Sequence, residues 1–185
     1  STTTAVNFCA KAYPTVASGH ADNAPLQVLA GFMRNGYLHR AIREQGGAYG
    51  GGASQDASSA SFRFFSYRDP RLQETLADFD AAIDWVISSE HKPHQLEEAI
   101  LGVIANLDKP ASPAGEAKQA YFNRAFGRTL AHRAQFRKQI LSITTADLKR
   151  VAQLYLSPEK ASIGIICNKE SADSLKIKNL EITNL

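Results

Sequence analysis

The sequence is poor in several features that mark common classes of protein. Its 185 residues include only two cysteines, Cys9 and Cys167, which lie far apart in apolar, strand-like stretches. This spacing indicates neither a disulfide framework nor a zinc knuckle, so we expect both thiols to be buried and reduced. No apolar run approaches the roughly 18 residues of a membrane span, so no membrane insertion is expected. The net charge is only +3 with both signs interspersed, which argues against nucleic acid as a partner.

The sequence also has no recognisable zinc-binding motif. Neither His-x-x-Glu-His nor His-Glu-x-x-His occurs in it. His91 and His94 are three residues apart, close to Glu97 and Glu98, and such a pair can share one face of a helix. Pro93 lies between them, however, and the stretch is typical of an exposed helix start. The sequence therefore predicts no metal site in this chain.

What is present is an ordinary globular composition, with 44% hydrophobic and 21% charged residues. There is no linker and no low-complexity segment, so residues 1–185 are predicted to form one domain. The chain starts with Ser-Thr-Thr-Thr and no methionine, and we therefore expect an excised piece of a longer protein. A soluble protein of the cytoplasm or of an organelle matrix fits this composition, which leaves the compartment unknown.

The stretch 37–54 organises the rest of the chain. Its first part has the spacing of an amphipathic helix, which Gly46 and Gly47 are expected to end. The residues that follow, up to Ser54, are too rich in glycine for a helix and predict a strand. Five of the twelve glycines fall within seven residues here, so this backbone needs conformational freedom or close neighbours.

The helix-to-strand corner could aim two side chains at one point. Arg43 falls on the last helical turn and Tyr49 at the start of the strand. From the residues alone, this pair is either functional or simply a surface arginine and a strand tyrosine. A nucleotide-binding loop is not favoured, because a P-loop needs Lys-Ser or Lys-Thr after its last glycine and a dinucleotide fold needs glycines between a strand and a helix.

The remaining pattern predicts further strands and helices. The predicted strands cover residues 5–13, 61–67 and 161–167, the last buried and the second pairing with the glycine-rich strand as a hairpin. A polar tail with alternating Leu175 and Ile177 allows one more short strand. The other predicted helices begin at Asp22 or Asn23, Asp69-Pro70, Pro93, Ser112-Pro113, Leu130 and Thr144.

Asn35-Gly36 suggests that two helices meet before the corner. Two later helices have informative apolar patterns. The helix after Pro70 should bury Leu72, Leu76, Phe79, Ile83 and Val86. The helix after Pro93 should bury Leu96, Ile100, Val103, Ile104 and Leu107. No βα unit repeats, so we predict an α+β fold, with a single, mostly antiparallel or mixed sheet and helices packed on one face.

The sequence of the corner resembles a known family. Residues 38–50, Leu-His-Arg-Ala-Ile-Arg-Glu-Gln-Gly-Gly-Ala-Tyr-Gly, are similar to a signature in the C-terminal half of pitrilysin- and insulinase-type zinc metallopeptidases. Residues 62–70, Phe-Arg-Phe-Phe-Ser-Tyr-Arg-Asp-Pro, most resemble the presequence-protease branch. The resemblance is sharp over residues 37–86 and extends, in element order, over nearly the whole chain.

This resemblance implies a role within a larger enzyme. Such peptidases have four related domains of the mitochondrial-processing-peptidase type, two in each half, and the halves close around a peptide. Zinc would be bound by the missing N-terminal domain, whereas this chain would be the fourth domain, inactive alone. Arg43 and Tyr49 would be the catalytic and substrate-binding residues that face the zinc site, with Gly50 and Gly51 lying along the substrate. The partners implied are the N-terminal half of the same polypeptide and peptide substrates.

Two other functions stay open on the sequence alone. The same domain type also serves as a non-catalytic scaffold subunit that binds partners or peptides. A small-molecule binding domain could also use the glycine-rich corner. The presence of both Arg43 and Tyr49 favours the peptidase, because a scaffold needs neither.

Overall fold

The computed structural model describes residues 5–175, 181 and 183, and its elements follow the predicted order. The strands are β1 (Asn7–Pro14), β2 (Gly50–Asp56), β3 (Ser61–Asp69) and β4 (Ser162–Ile166). The α-helices are α1 (Asn23–Met33), α2 (Gln73–Ser88), α3 (Pro93–Asp108), α4 (Pro113–Ala125), α5 (Leu130–Leu141), α6 (Thr145–Tyr155) and α7 (Lys169–Ser174). A π-helix (Arg34–Gln45) continues α1, and a 3₁₀ turn (Pro158–Lys160) precedes β4.

The four strands form one antiparallel sheet in the order β2-β3-β1-β4. The predicted hairpin is confirmed, with Asp56 opposite Ser61 at the turn and Gly50 opposite Tyr67 at the far end. The Asp56 carboxylate accepts hydrogen bonds from the backbone of Ser58 at 2.9 Å and of Ser59 at 3.4 Å, which closes the turn. This arrangement confirms the predicted α+β fold.

The hydrophobic core lies between one face of the sheet and the helices. Phe62 and Phe64 of β3 point into this core, whereas Phe65 and Tyr67 of the same strand are partly exposed on the opposite face. The predicted stripe of α2 is buried as a whole: Leu72, Leu76, Phe79, Ile83 and Val86. Helices therefore cover only one side of the sheet in the described part of the chain.

Two predicted side-chain caps do not form, although Asp22 does occupy the N-cap position of α1. The carboxylate of Asp22 does not cap α1 but accepts hydrogen bonds from Arg150 and Tyr155 of α6. Asp69 ends β3 instead of capping α2, which begins only at Gln73. The partners of Asp22 lie far away in the sequence, where a local pattern does not show them, whereas the Asp69 carboxylate accepts from the nearby Arg71 N–H and Thr75 hydroxyl.

Two predictions of burial were also wrong. The predicted core row of α3 is only half-buried, and Ala99 is the residue of that helix that is fully covered. This helix packs against α1 and α5 at the border of the domain, so one side of it stays open. The predicted buried strand 161–167 forms β4, but this strand lies at the edge of the sheet, and its Ile163 and Ile166 are 36% and 44% exposed.

The C-terminal end differs from the short strand that the sequence allowed. Residues Lys169–Ser174 form α7, and Leu175 lies directly after this helix. Ile177 lies outside the described residues. None of the described helices is long and apolar enough to cross a membrane.

Candidate active site

The π-helix places Arg43 on the open side of the molecule. Leu38, Ala41 and Ile42 face the core as predicted, whereas Arg43 is exposed. Asn35-Gly36 does not separate two helices; instead α1 widens into the π-helix at Arg34 without a break. π-Helical segments are rare and occur frequently at functional sites, so this widening is consistent with a functional role for the corner.

Glycine closes the corner after the π-helix. Gly47 has a φ of 78°, which favours glycine, and its N–H donates to the Arg43 carbonyl at 3.1 Å. The next N–H, of Ala48, donates to the Ile42 carbonyl at 3.1 Å. The first bond is that of an ordinary αL cap, whereas the second reaches one residue further back than its counterpart in a Schellman motif. Arg43 and Tyr49 thus flank a hydrogen-bonded turn.

Tyr49 stands out from the sheet at the start of β2. Its side chain is 65% exposed, and its hydroxyl makes no hydrogen bond to any described residue. Its backbone N–H donates to the Arg68 carbonyl at 3.3 Å, which fixes the strand end. Its ring centroid lies 5.8 Å from that of Tyr67 and 5.6 Å from the Arg68 guanidinium carbon. The backbone of Tyr49 and its ring therefore contact Tyr67 and Arg68, while the hydroxyl makes no hydrogen bond to a described residue.

The Arg43 guanidinium is free as well. Within the part of the chain that the structure describes, its side chain forms no hydrogen bond or ion pair. No cation–π contact or hydrogen bond joins it to Tyr49. The corner therefore places the two residues on either side of one turn and leaves both polar groups available to a third molecule.

Gly50 and Gly51 have neighbours from this chain. A Cβ on Gly50 would overlap the Tyr67 ring and hydroxyl, and one on Gly51 would lie 2.9 Å from the Phe65 carbonyl oxygen. Both glycines thus permit close internal packing at the edge strand β2. Their predicted contact with a substrate stays a prediction.

Tyr67 and Arg68 are neighbours of the site that the sequence did not indicate as functional. The hairpin register places Tyr67 opposite Gly50, and Arg68 follows it in a left-handed conformation with a φ of 48°. The predicted hairpin could have placed Tyr67 near Tyr49, but the conformation of Arg68 has no signal in the sequence. A cavity of about 390 Å³ between α1, β2 and α3 includes none of these residues.

The described residues do not fit a zinc ion. No group of three or more histidine, cysteine or acidic side chains that could hold a metal is found among them. The His91 ring instead packs 4.6 Å from the Trp85 ring, and its Nε2 lies 3.0 Å from the Val86 carbonyl oxygen.

Cys9 and Cys167 are free and buried, and burial raises the pKa of the Cys9 thiol to about 11.

Comparisons with known proteins agree on one group of relatives. The family model described as the PreP C-terminal domain matches residues 2–168. Presequence protease of Yarrowia lipolytica, a mitochondrial protein, is 42% identical over 151 residues, which are 82% of this chain and 15% of that protein. The mitochondrial presequence protease of Mus musculus is 34% identical over 160 residues, 86% of this chain and 15% of that one. The chain thus spans about 15% of the length of these relatives.

Solved structures share the fold at low sequence identity. A protease from Helicobacter pylori superposes with a TM-score of 0.76 and 15% identity, over 89% of this chain and 42% of that one. The inactive domain of an M16 peptidase from Pseudomonas fluorescens gives a TM-score of 0.68 and 17% identity, over 88% of this chain and 40% of that one. The architecture described above is therefore one that peptidases of this type contain.

Proposed function

We propose, on the premise that the chain belongs to the PreP C-terminal domain family, that it is the C-terminal domain of a longer zinc metalloendopeptidase that degrades peptides. Residues 1–185 would form this one domain, and the N-terminal half of the same polypeptide would be its partner. Zinc would be bound by that other half, because the described residues here offer no ligand set. The relatives from Yarrowia lipolytica and Mus musculus are mitochondrial presequence proteases, which supports a mitochondrial location.

The observation that carries the proposal is the pair of unpartnered donors at the corner. The Tyr49 hydroxyl and the Arg43 guanidinium are both exposed, and neither hydrogen-bonds a described residue. When a peptide bond is attacked, negative charge gathers on its carbonyl oxygen, and a fixed hydroxyl donor stabilises that charge. A guanidinium offers a planar fork that can bind carbonyl oxygens of the substrate backbone. Tyr49 would thus act on the reacting carbonyl, and Arg43 would hold the substrate.

Replacing Tyr49 by phenylalanine in the full-length protein tests this assignment. We expect kcat for a peptide substrate to fall by roughly a hundredfold, because one transition-state donor is lost, while KM changes little. The melting temperature should stay near wild type, since the hydroxyl has no partner within this domain. Tyr121→Phe is the matched control, because Tyr121 is 70% exposed on another element, helix α4. Near-normal kcat in a folded, zinc-loaded Tyr49→Phe enzyme would contradict the role of Tyr49.

Arg43→Lys tests the second donor. Lysine keeps the charge but loses the planar fork, so we expect activity to fall by roughly tenfold or more. Arg40→Lys serves as the control, because Arg40 is exposed on the same π-helix. If Arg43→Lys were as active as the Arg40→Lys control, the planar fork of Arg43 would not be needed, and Arg43 would supply only charge.

The scaffold interpretation predicts a different full-length sequence. A catalytic protein should contain His-x-x-Glu-His in its N-terminal half, whereas a scaffold need not. Absence of that motif from the complete gene would favour the scaffold.

A further inference from the structure

The end of β3 contains a bulge that carries Tyr67 and Arg68. Across the β1–β3 pair, Cys9 lies opposite Ser66 but Asn7 lies opposite Asp69. Strand β3 therefore has one residue more than β1 over this stretch, and the extra length falls at Tyr67 and Arg68. β-Bulges occur frequently beside active sites, where they redirect a side chain.

The bulge holds Arg68 in an unusual conformation. Its φ of 48° lies in the left-handed region, which non-glycine residues seldom adopt. The next residue, Asp69, is completely buried, and its carboxylate accepts from the Arg71 N–H at 2.9 Å and the Thr75 hydroxyl at 2.8 Å. The Asn7 amide also donates to the Asp69 carbonyl at 3.1 Å. This firm support allows the strained residue to persist.

Both bulge residues contact Tyr49. The Tyr67 ring is tilted by 55° against the Tyr49 ring at a centroid distance of 5.8 Å, and the Arg68 guanidinium lies 5.6 Å from the Tyr49 centroid. The Arg68 side chain forms neither a hydrogen bond nor an ion pair with any described residue, so its contact with the Tyr49 ring is a cation–π interaction alone. Gly50 leaves room for the Tyr67 ring to lie over the end of β2.

We propose that Tyr67 and Arg68 are positioning residues that hold the Tyr49 side chain in its reactive orientation. The inference rests on the proposed function of Tyr49. A tyrosine that is 65% exposed has several rotamers available, and contacts on its ring reduce that freedom before a substrate arrives. A hydroxyl that is fixed in advance stabilises developing charge better than one that must first be ordered.

Arg68→Gly in the full-length enzyme is the direct test. Glycine adopts a φ of 48° without strain, so the bulge and the stability of the fold should be kept or improved. We expect kcat to fall by about tenfold and KM to change by less than about twofold. Arg68→Lys keeps a cation over the ring and should recover most of the lost kcat. Wild-type kcat in Arg68→Gly would overturn the proposal.

A double-mutant cycle with Tyr49→Phe separates positioning from an independent effect. Without the hydroxyl there is nothing to position, so Arg68→Gly should cost less than about twofold in the Tyr49→Phe background. A full tenfold loss in both backgrounds would overturn the proposal. Normal kcat in Tyr49→Phe would overturn the proposed function itself. A slow Tyr49→Phe enzyme beside a normal Arg68→Gly enzyme would overturn only the positioning role.

Tyr67→Leu tests the second contact, with Phe65→Leu as its control. Phe65 lies two residues earlier on the same face of β3 and is 36% exposed, but its ring makes no contact with that of Tyr49. We expect Tyr67→Leu to lower kcat by roughly fivefold and Phe65→Leu to leave kcat near wild type. Equal losses in the two variants would assign the effect to the exposed sheet face as a whole and overturn the role of Tyr67.

Discussion

At the scale of single residues, Asp22 joins the start of α1 to α6 through its carboxylate. It accepts a hydrogen bond from the Arg150 guanidinium at 2.6 Å and one from the Tyr155 hydroxyl at 2.8 Å. The hydrogen bond from Arg150 is the main reason why the pKa of Asp22 lies below its usual range. The Asp22 side chain is only 11% exposed, so its charge is balanced by Arg150, while the Tyr155 hydroxyl adds a hydrogen bond. The ionised carboxylate is therefore part of the native structure.

This lowered pKa predicts an acid-sensitive contribution to stability. Because the pKa of Asp22 is lower in the folded state, its contribution is present above the unfolded pKa of about 4 and is lost as pH falls through the folded value. We expect Asp22→Asn to lower the free energy of unfolding by about 2 kcal/mol at pH 7 and by less at pH 3. Urea unfolding at both pH values measures this difference. Asp84→Asn, at an exposed position of α2, is the control, and a loss that did not change with pH would contradict the prediction.

The site itself could be predicted only in part at this scale. Arg43 and Tyr49 were indicated by their positions around two glycines, and Gly47 indeed has a φ of 78°. The contacts of Tyr67 and Arg68 with Tyr49 depend on a one-residue bulge, which leaves the alternation of β3 almost unchanged. A bulge is set by pairing with a distant strand, so a local pattern cannot reveal it.

At the scale of elements, Arg71 fastens the end of the π-helix to α2. Its guanidinium donates to the Ala41 carbonyl at 3.0 Å and to the Asp78 carboxylate at 2.8 Å. Gly46 has no side chain, and the space that a Cβ would need is occupied by this guanidinium. The corner that carries Arg43 is thus held by a residue that follows β3 in the chain.

Replacing Arg71 by methionine should loosen this connection. Methionine keeps much of the apolar length but leaves the Ala41 carbonyl and Asp78 without their donor, so we expect a loss of about 2 kcal/mol in the free energy of unfolding. Arg63→Met is the matched control, because the Arg63–Asp56 pair is 48% and 32% exposed and should contribute less than about 1 kcal/mol. Denaturant unfolding of both variants measures the difference. Equal losses would show that Arg71 acts only as a surface charge.

Regular periodicity made most elements predictable, and the exceptions have physical causes. The predicted start at Leu130 agrees with α5 (Leu130–Leu141), and the predicted cap at Thr144 directly precedes α6, as observed. The π-helix was missed because its apolar spacing over three turns resembles that of an α-helix. Periodicity reports which residues share a face, but not how completely a neighbouring element covers that face. This is why the predicted start of α3 at Pro93 was right while its predicted burial was wrong.

At the scale of the whole molecule, the described helices cover only one face of the sheet. The open face carries several partly exposed apolar side chains: Phe8, Phe65, Tyr67 and Ile166. An apolar sheet face is typical of a surface that packs against another protein or domain. The chain spans only about 15% of the length of its curated relatives. The apolar residues of β4 are therefore consistent with contacts to parts of a longer protein that this chain does not include. The wrong prediction of a buried β4 is therefore what a domain of a longer protein would produce.

The proposal that zinc is bound by the other half of the protein predicts how the isolated chain behaves. A structural zinc site needs four ligands and a catalytic one three protein ligands, and the described residues contain no such group. In the proposed function, Tyr49 would stabilise charge on a substrate that Arg43 holds and that another part of the protein attacks. We therefore expect the isolated 185-residue chain to hold no stoichiometric zinc after dialysis and to cleave no peptide. Elemental analysis and a peptidase assay on the same sample measure both quantities.

The control for this experiment is the full-length protein, prepared and dialysed in the same way. If the zinc site lies in the other half, the full-length protein should keep about one zinc per chain and cleave the peptide, while the isolated chain does neither. One tightly bound zinc in the isolated chain would place a metal site within these 185 residues and contradict the proposed division. His94→Ala would then show whether the exposed start of α3 supplies a ligand, since His94 is exposed there. Peptide cleavage without zinc would instead remove the need for a second half, and Tyr49 and Arg43 would require a different role.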